Sequence, residues 1–310
     1  MPEISVVIPV YNKSKYIAQT VESVLQQNFD DFEIILINDG STDRSGEILS
    51  LLHNDKIRVF HQNNKGVSYT RNRGVSLAKS DLIAFLDADD YWYPNHLAVI
   101  HQLAKKFEKA AFFSTAYEIK YHDELIREIA FEQFSEEGDL LSRYYQYITG
   151  PHLFFTSNFA VRKNIFEKEG GFNEQIHGED IELFLRLGIK YAMAYSKTLT
   201  LRYENFADES LFAAYNIDKR TLIDKMFIDD EKTDHALKKY MDLNRFSWIL
   251  DYKISGNSVK AKELIQKISK KNLNTKQKIL LALPGSVLRN IKNFQRFLIR
   301  NNIYLTSFSK

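Results

Sequence analysis

The chain has 310 residues, 44% of them hydrophobic and 26% charged, which is enough for one large domain with an appendage or for two modest domains. It has no cysteine, which excludes a disulfide framework, a thiolate zinc site and a cysteine nucleophile. The net charge of +2 hides an asymmetry: residues 260–310 carry twelve Lys/Arg against the single acid Glu263, +11 in all, leaving 2 − 11 = −9 for residues 1–259.

Taken in chain order, the first ninety residues alternate strand and helix. Residues 4–8 read as a buried strand, and Tyr16/Ile17, Thr20/Val21 and Val24/Leu25 recur at helical spacing. A second strand over 33–37 ends in Asn38-Asp39-Gly40-Ser41, and a helix with an acidic start follows over 43–52. A third strand is expected at 57–60, a helix at 68–78 and a fourth strand at 82–86. Repeated βα units of this length predict a doubly wound, mostly parallel α/β sheet with right-handed crossovers. A helix over 94–107 leads into an irregular, aromatic stretch. Beyond it come Gly178-Glu179-Asp180, an apolar helix over 181–187 and a strand over 192–203. From about residue 210 onward the pattern is helical. Residues 4–10 are too short for the apolar part of a secretory leader, and no run of 18 apolar residues predicts a membrane-spanning helix.

The polar residues that carry chemistry fall at strand ends. Asp87-Ala88-Asp89-Asp90 follows the apolar run 82–86, and the strand ends of an open α/β sheet line its ligand crevice. Two carboxylates one residue apart suit a hard divalent cation that also takes oxygens from a diphosphate, although a solvated acidic turn would read the same way. Tyr11, after Pro9-Val10, is placed to stack on a planar base or to pack on the first helix. Asp39 is placed to accept from a base N–H, while Ser41, Thr42 or Asp43 caps the next helix. Arg71, after a glycine-bearing loop, is either a base or phosphate contact or a surface cation. Glu179 and Asp180 offer a general base behind a mobile glycine, Gly178, or simply stabilise a helix start through its dipole. No G-x-G-x-x-G, P-loop or G-x-S-x-G motif is present.

Together, Val7-Ile8-Pro9-Val10-Tyr11-Asn12, Asn38-Asp39-Gly40-Ser41-Thr42-Asp43, Arg71-Asn72-Arg73-Gly74, Asp87-Ala88-Asp89-Asp90-Tyr91-Trp92 and Gly178-Glu179-Asp180 resemble, in order, the family 2 inverting glycosyltransferases. The resemblance covers residues 1 to about 205 and implies a nucleotide-diphospho-sugar transferase (GT-A) fold with a C-terminal helical extension. It implies a catalytic domain over 1–207, with a nucleotide-sugar half (1–110) and an acceptor half (111–207), followed by a helical, basic region over 208–310. It further implies that Pro9, Tyr11, Asp39, Arg71 and Asp87 bind the nucleotide, most often uridine. Asp89, with Asp87, would hold Mg²⁺ or Mn²⁺ against the donor diphosphate. Asp180 would be the base with Glu179 beside it, and Asp90, Trp92, Ser157, Asn158 and Gly178 would shape the donor and acceptor pocket. Many relatives carry a histidine where this chain has Glu204-Asn205-Phe206, so no histidine is assigned to the metal.

The implied reaction is transfer of a hexose or N-acetylhexosamine from a UDP-sugar to a hydroxyl of a growing, lipid-linked glycan. The competing reading is a non-catalytic nucleotide-sugar-binding scaffold on the same fold. A sugar-1-phosphate nucleotidyltransferase is disfavoured because its glycine-rich phosphate loop is absent. In the tail, Val287/Leu288, Ile291, Phe294 and Phe297/Leu298 recur at helical spacing, with Arg289, Lys292, Arg296 and Arg300 interleaved. That pattern predicts an interfacial helix on an anionic membrane and a peripheral, cytoplasmic location. The alternatives are a helical cap on the catalytic domain or a surface that pairs two copies. No nucleic-acid-binding module is recognisable.

Overall fold

The computed structural model describes residues 1–129, 131–148, 152–205 and 217–304. The boundary expected near residue 207 lies outside the described residues, as does Phe206. The βα alternation appears as β1 (Ile4–Val10), α1 (Ile17–Leu25), β2 (Phe32–Asp39), α2 (Ser45–Ser50), β3 (Ile57–Gln62), α3 (Val67–Leu77) and β4 (Leu82–Phe85). A short β5 (Tyr91–Trp92), α4 (His96–Lys106), β6 (Ala110–His122), β7 (Leu125–Ile129) and β8 (Asp139–Leu141) follow. The half closes with β9 (Ala160–Arg162), α5 (Lys163–Lys168), α6 (Glu179–Lys190) and β10 (Ala192–Glu204).

The strands form one sheet in the order β3-β2-β1-β4-β9-β6-β10-β5, with β7 added on β6 and β8 on β10. The first four strands pair in parallel, as do β6 and β10, whereas β9, β5, β7 and β8 pair antiparallel. The sheet is therefore mixed, and its parallel half is the part with regular βα units. β1, β2 and β4 are apolar almost throughout because both of their faces are covered. Their side chains divide with the two-residue period of a strand. Ile4, Val6, Ile8, Ile34, Leu36 and Ala84 pack towards α1 and α4, while Val7, Ile35, Ile37, Ile83 and Phe85 face the other core layer.

Register sets the site. Val10 lies opposite Asn38, and Val7 opposite Phe85. The segments that follow β1, β2 and β4 therefore emerge along one rim of the sheet. Close packing of α3 on β1 depends on Gly74, where a Cβ would lie 2.2 Å from Val7 Cγ1.

The remainder is helical: α7 (Ile217–Arg220), α8 (Ile223–Met226), α9 (Asp230–Thr233), α10 (His235–Ser255), α11 (Ser258–Lys267), α12 (Thr275–Ala282) and α13 (Gly285–Arg300). Asp234 caps α10, accepting from Ala236 and Leu237 N–H at 2.9 and 3.0 Å, and also takes the Tyr145 hydroxyl at 2.7 Å. Met241, Trp248 and Ile249 of α10 join the same apolar cluster as Phe112, Phe184 and Tyr195, so this helix is built into the core beside the sheet. A buried charge cluster fastens the helices to one another. Arg245, 1% exposed, meets Asp224 at 2.5 Å, Glu231 at 2.5 Å and Asp242 at 3.1 Å. Lys267 reaches Asp224 at 2.7 Å, and Lys238 pairs with Asp242. No described helix is long and apolar enough to cross a membrane.

Candidate active site

The rim gathers most of the polar residues expected from the sequence. Tyr11, just past β1, is 41% exposed, so its ring is open to a ligand. Pro9 lies within β1 opposite Ile37. Asp39, the last residue of β2, is buried and already engaged: it accepts from Lys65 N–H at 2.8 Å, Gly66 N–H at 2.9 Å and the Gln62 amide at 2.7 Å. Its carboxylate thus fixes the loop before α3, where Gly66 at φ 87° starts the helix. None of the three capping candidates sits at the N-cap of α2, which is Arg44 without a side-chain cap; Asp43 instead accepts from Ser45 N–H at 2.9 Å and from Ser14 N–H at 3.0 Å. Burial opposes the charge on Asp43, but those bonds outweigh it and hold the carboxyl at about 2.

The acidic run after β4 forms a tight turn, with Asp90 N–H on the Asp87 carbonyl at 3.1 Å. Its three carboxylates have different surroundings. Asp87 takes the Arg71 guanidinium at 2.6 Å and keeps a third of its side chain exposed. Asp89, with 24% of its side chain exposed, pairs with the Lys13 ammonium. Asp90 is enclosed: the Ser157 hydroxyl donates to one oxygen and Glu204 N–H to the other at 3.1 Å. Burial pushes the Asp90 carboxyl well above the ordinary range, with Asp89 and Asp87 adding to the shift. Burial and Asp87 also raise Asp89, against the pull of Lys13.

Ser157 is the hub behind this turn. Its hydroxyl accepts Asp87 N–H at 3.1 Å while donating to Asp90, and its carbonyl accepts the Trp92 indole N–H at 2.5 Å. Trp92 is fully buried and stacks on His96 at 4.0 Å, so it braces the turn from inside the core. Asn158 is likewise buried, donating to the Thr115 carbonyl at 2.6 Å. A polar cavity of about 200 Å³ opens beside the turn, lined by Asp89, Asp90, Tyr91, Glu204, Lys15 and Lys120 among others.

Across the rim, Gly178 adopts the left-handed conformation (φ 82°, ψ 35°) that starts α6, a backbone only glycine enters cheaply. Glu179 and Asp180 then open the helix; Asp180 Oδ1 takes its neighbour's Ile181 N–H at 2.8 Å. Glu179 is largely buried and meets the other end of Arg71 at 2.8 Å. Burial raises its carboxyl; Arg71 lowers it and Asp180 raises it again.

The exposed-cation reading of Arg71 therefore gives way to a different placement. The side chain is 4% exposed and ties Asp87 after β4 to Glu179 on α6, a residue 108 positions along the chain. Lys13 was missed from sequence. Its signal was its place two residues beyond Tyr11, on the same rim as Asp89.

The crowded carboxylates show what the site can hold. Asp87, Asp89 and Asp90 are set against Lys13 and Arg71, yet burial and the neighbouring carboxylates still raise the Asp89 and Asp90 carboxyls above the ordinary range. Hard oxygen donors with negative charge in excess of their own cations fit a divalent cation. Among the described residues, no group of three or more His, Asp or Glu side chains is arranged to hold an ion unaided.

Residues 5–170 match the family model for Glycosyl transferase family 2. Glycosyltransferase GlyG of Streptococcus pneumoniae is 41% identical over 102 residues, 32% of this chain and 34% of that protein. Chondroitin synthase of Pasteurella multocida is 30% identical over 192 residues, 60% of this chain but 19% of that protein. These matches thus span about a third or less of either relative's length. The crystal structure of Staphylococcus aureus TarS 1–349 in complex with UDP-GlcNAc superposes with a TM-score of 0.68 at 19% identity, covering 99% of this chain and 93% of that one. That likeness shows the fold.

Proposed function

Because this chain belongs to glycosyl transferase family 2, we propose that it transfers a hexose or N-acetylhexosamine, with inversion, from a UDP-sugar to a hydroxyl of a glycan. The observation that carries this reading is the Arg71 bridge, which brings the Asp87–Asp89 turn and the Glu179–Asp180 helix start into one site. The TarS complex with UDP-GlcNAc, on the same fold, supports UDP-sugar as the donor class.

In this reading the Tyr11 ring stacks on the base at the open end of β1. Asp39 acts indirectly by holding the loop before α3. Asp89 and Asp87 would hold Mg²⁺ or Mn²⁺, which when bound offsets charge on the leaving diphosphate. Arg71 and Lys13 already face these two carboxylates, so an ion would share them with those cations and take its further ligands from the diphosphate and water. Asp180 accepts the acceptor hydroxyl's proton as that oxygen bonds to the anomeric carbon; the electrons of the breaking C–O bond leave with the diphosphate. Glu179 is the weaker candidate for the base, since Arg71 already occupies its carboxylate. Ser157 and Trp92 keep the turn in place. The basic tail holds the protein on the anionic inner face of the cytoplasmic membrane, near a lipid-linked acceptor.

The test is release of UDP from a panel of UDP-sugars, with Mn²⁺ or with chelator, in wild type, Asp89→Ala and Asp180→Asn. Loss of transfer in both variants with unfolding temperatures retained is the expected result. Full activity in either removes the role given to that residue.

A further inference from the structure

Away from the carboxylates lies a larger, open cavity of about 750 Å³, bounded by β6 and β7 on one side and by α10, α12 and α13 on the other. Its walls are mainly apolar: Ile119, Ile129, Phe246, Leu250, Leu280 and Leu288 come from five different elements. The volume lies in the range of small-molecule sites. A void of this size with such walls has little to offer a sugar or a nucleotide.

The apolar lining does not stop at the interior. Ile291 and Phe294 of α13 line the cavity and are also 41% and 59% exposed, so they form its mouth. From there the surface continues to Phe297, stacked 6.3 Å from Phe294 and 59% exposed. Around the mouth the charge is one-sided. α13 carries Arg289, Lys292, Arg296 and Arg300 and no acid, with Arg289 also donating to the Ile254 carbonyl at 2.5 Å, and Lys276 lines the cavity from α12. Asp251 also reaches the cavity but faces Lys292 at 3.4 Å. Two copies meeting through α13 would bring these like-charged faces together, which disfavours a dimer there. An apolar chamber that opens through aromatic residues into a ring of cations is complementary to a hydrocarbon chain with an anionic head.

We propose that this cavity binds one hydrocarbon chain of an anionic membrane lipid, with the headgroup held by the cations of α12 and α13. This goes beyond docking of the tail on a flat surface, because the hydrocarbon chain lies in the groove between β6–β7 and α10, α12 and α13. It also adjoins the site: Phe155, on the cavity wall, stacks 5.0 Å from Tyr203 and lies two residues before Ser157, which bonds Asp87 and Asp90.

The experiment uses the full chain and dodecyl phosphate below its micellar concentration, with dodecyl maltoside as the uncharged comparison. Binding is read by calorimetry, and stoichiometry by native mass spectrometry. One dodecyl phosphate per chain is expected. Leu250→Trp, which fills the chamber, should weaken binding about tenfold or more, since each methylene kept out costs about a factor of four. Lys276→Glu/Lys292→Glu leaves the chamber open and should weaken dodecyl phosphate while sparing dodecyl maltoside. Pelleting with phosphatidylglycerol vesicles separates this idea from surface docking, because Leu250→Trp keeps the cations and should still pellet. Dodecyl phosphate binding that is absent in folded wild type, or unchanged in both variants, overturns the proposal. So does a concentration-dependent dimer that excludes the probe.

Discussion

Replacing Arg71 with methionine removes the guanidinium that joins Asp87 and Glu179, at 2.6 and 2.8 Å, while nearly conserving side-chain length. Breaking a buried ion pair by deleting one partner costs about 3–5 kcal/mol, because the other charge stays behind unpaired. The two arms contribute unequally. Asp87 keeps 33% of its side chain in water and recovers some solvation, whereas Glu179 keeps only 15% and does not. Glu179 has an escape, since burial already raises its carboxyl and loss of Arg71 would let it take up a proton. The expected loss therefore sits at the low end, about 3 kcal/mol, read as a lower urea midpoint at unchanged slope. Glu179→Gln in the same background should recover part of it, giving a coupling energy of about 1–3 kcal/mol in the double-mutant cycle. Arg71→Lys should fold better than Arg71→Met yet remain poor in transfer, because a single ammonium does not span both carboxylates as a planar guanidinium does. A loss below about 1 kcal/mol for Arg71→Met, with the two substitutions strictly additive, would refute the bridge.

Acidification should expose His96, which is fully buried and held by burial at about 3, with its ring on Trp92 and Nδ1 2.7 Å from Thr200 Oγ1. A depressed folded value means that the unfolded chain binds the extra proton below 6.5, so stability falls with pH across that window by about 2 kcal/mol at pH 5. His96→Gln should lose less between pH 7 and pH 5 in urea titrations, and an identical loss would contradict this account. Gly74→Ala would ordinarily strengthen a helix, but a Cβ 2.2 Å from Val7 Cγ1 should instead cost about 1–3 kcal/mol, seen as a lower Tm; a raised Tm would show that α3 can shift. Arg245→Met strands Asp224, Glu231 and Asp242 in the helical region and should cost about 3–5 kcal/mol, measured by urea unfolding. A near-neutral result would mean that Lys238 and Lys267 suffice.

The residues of the chain, taken alone, determined the βα alternation, the acidic turn after β4 and the glycine-led start of α6. Each is written locally: apolar runs ended by Asp39 and by Asp87-Ala88-Asp89-Asp90, and a helix that begins where Gly178 takes a left-handed turn. What folding decided is which of these groups face one another. Strand periodicity cannot tell that β9 pairs antiparallel between β4 and β6, because pairing partners far apart in sequence are chosen by shape and register. That choice places Ser157 behind Asp87 and Asp90, and it turns Trp92 into a core brace. The residues around Arg71 allowed a base or phosphate contact or a surface cation, and neither reading contained its ion pair with Glu179 on α6, more than a hundred residues on. Lys13 found Asp89 only because parallel register delivers the ends of β1 and β4 to one rim. The tail shows the same division. Its charge and its amphipathic pattern are properties of residues 285–300, but the cavity beside them is made, among the described residues, by α10, α12 and α13 together with β6 and β7.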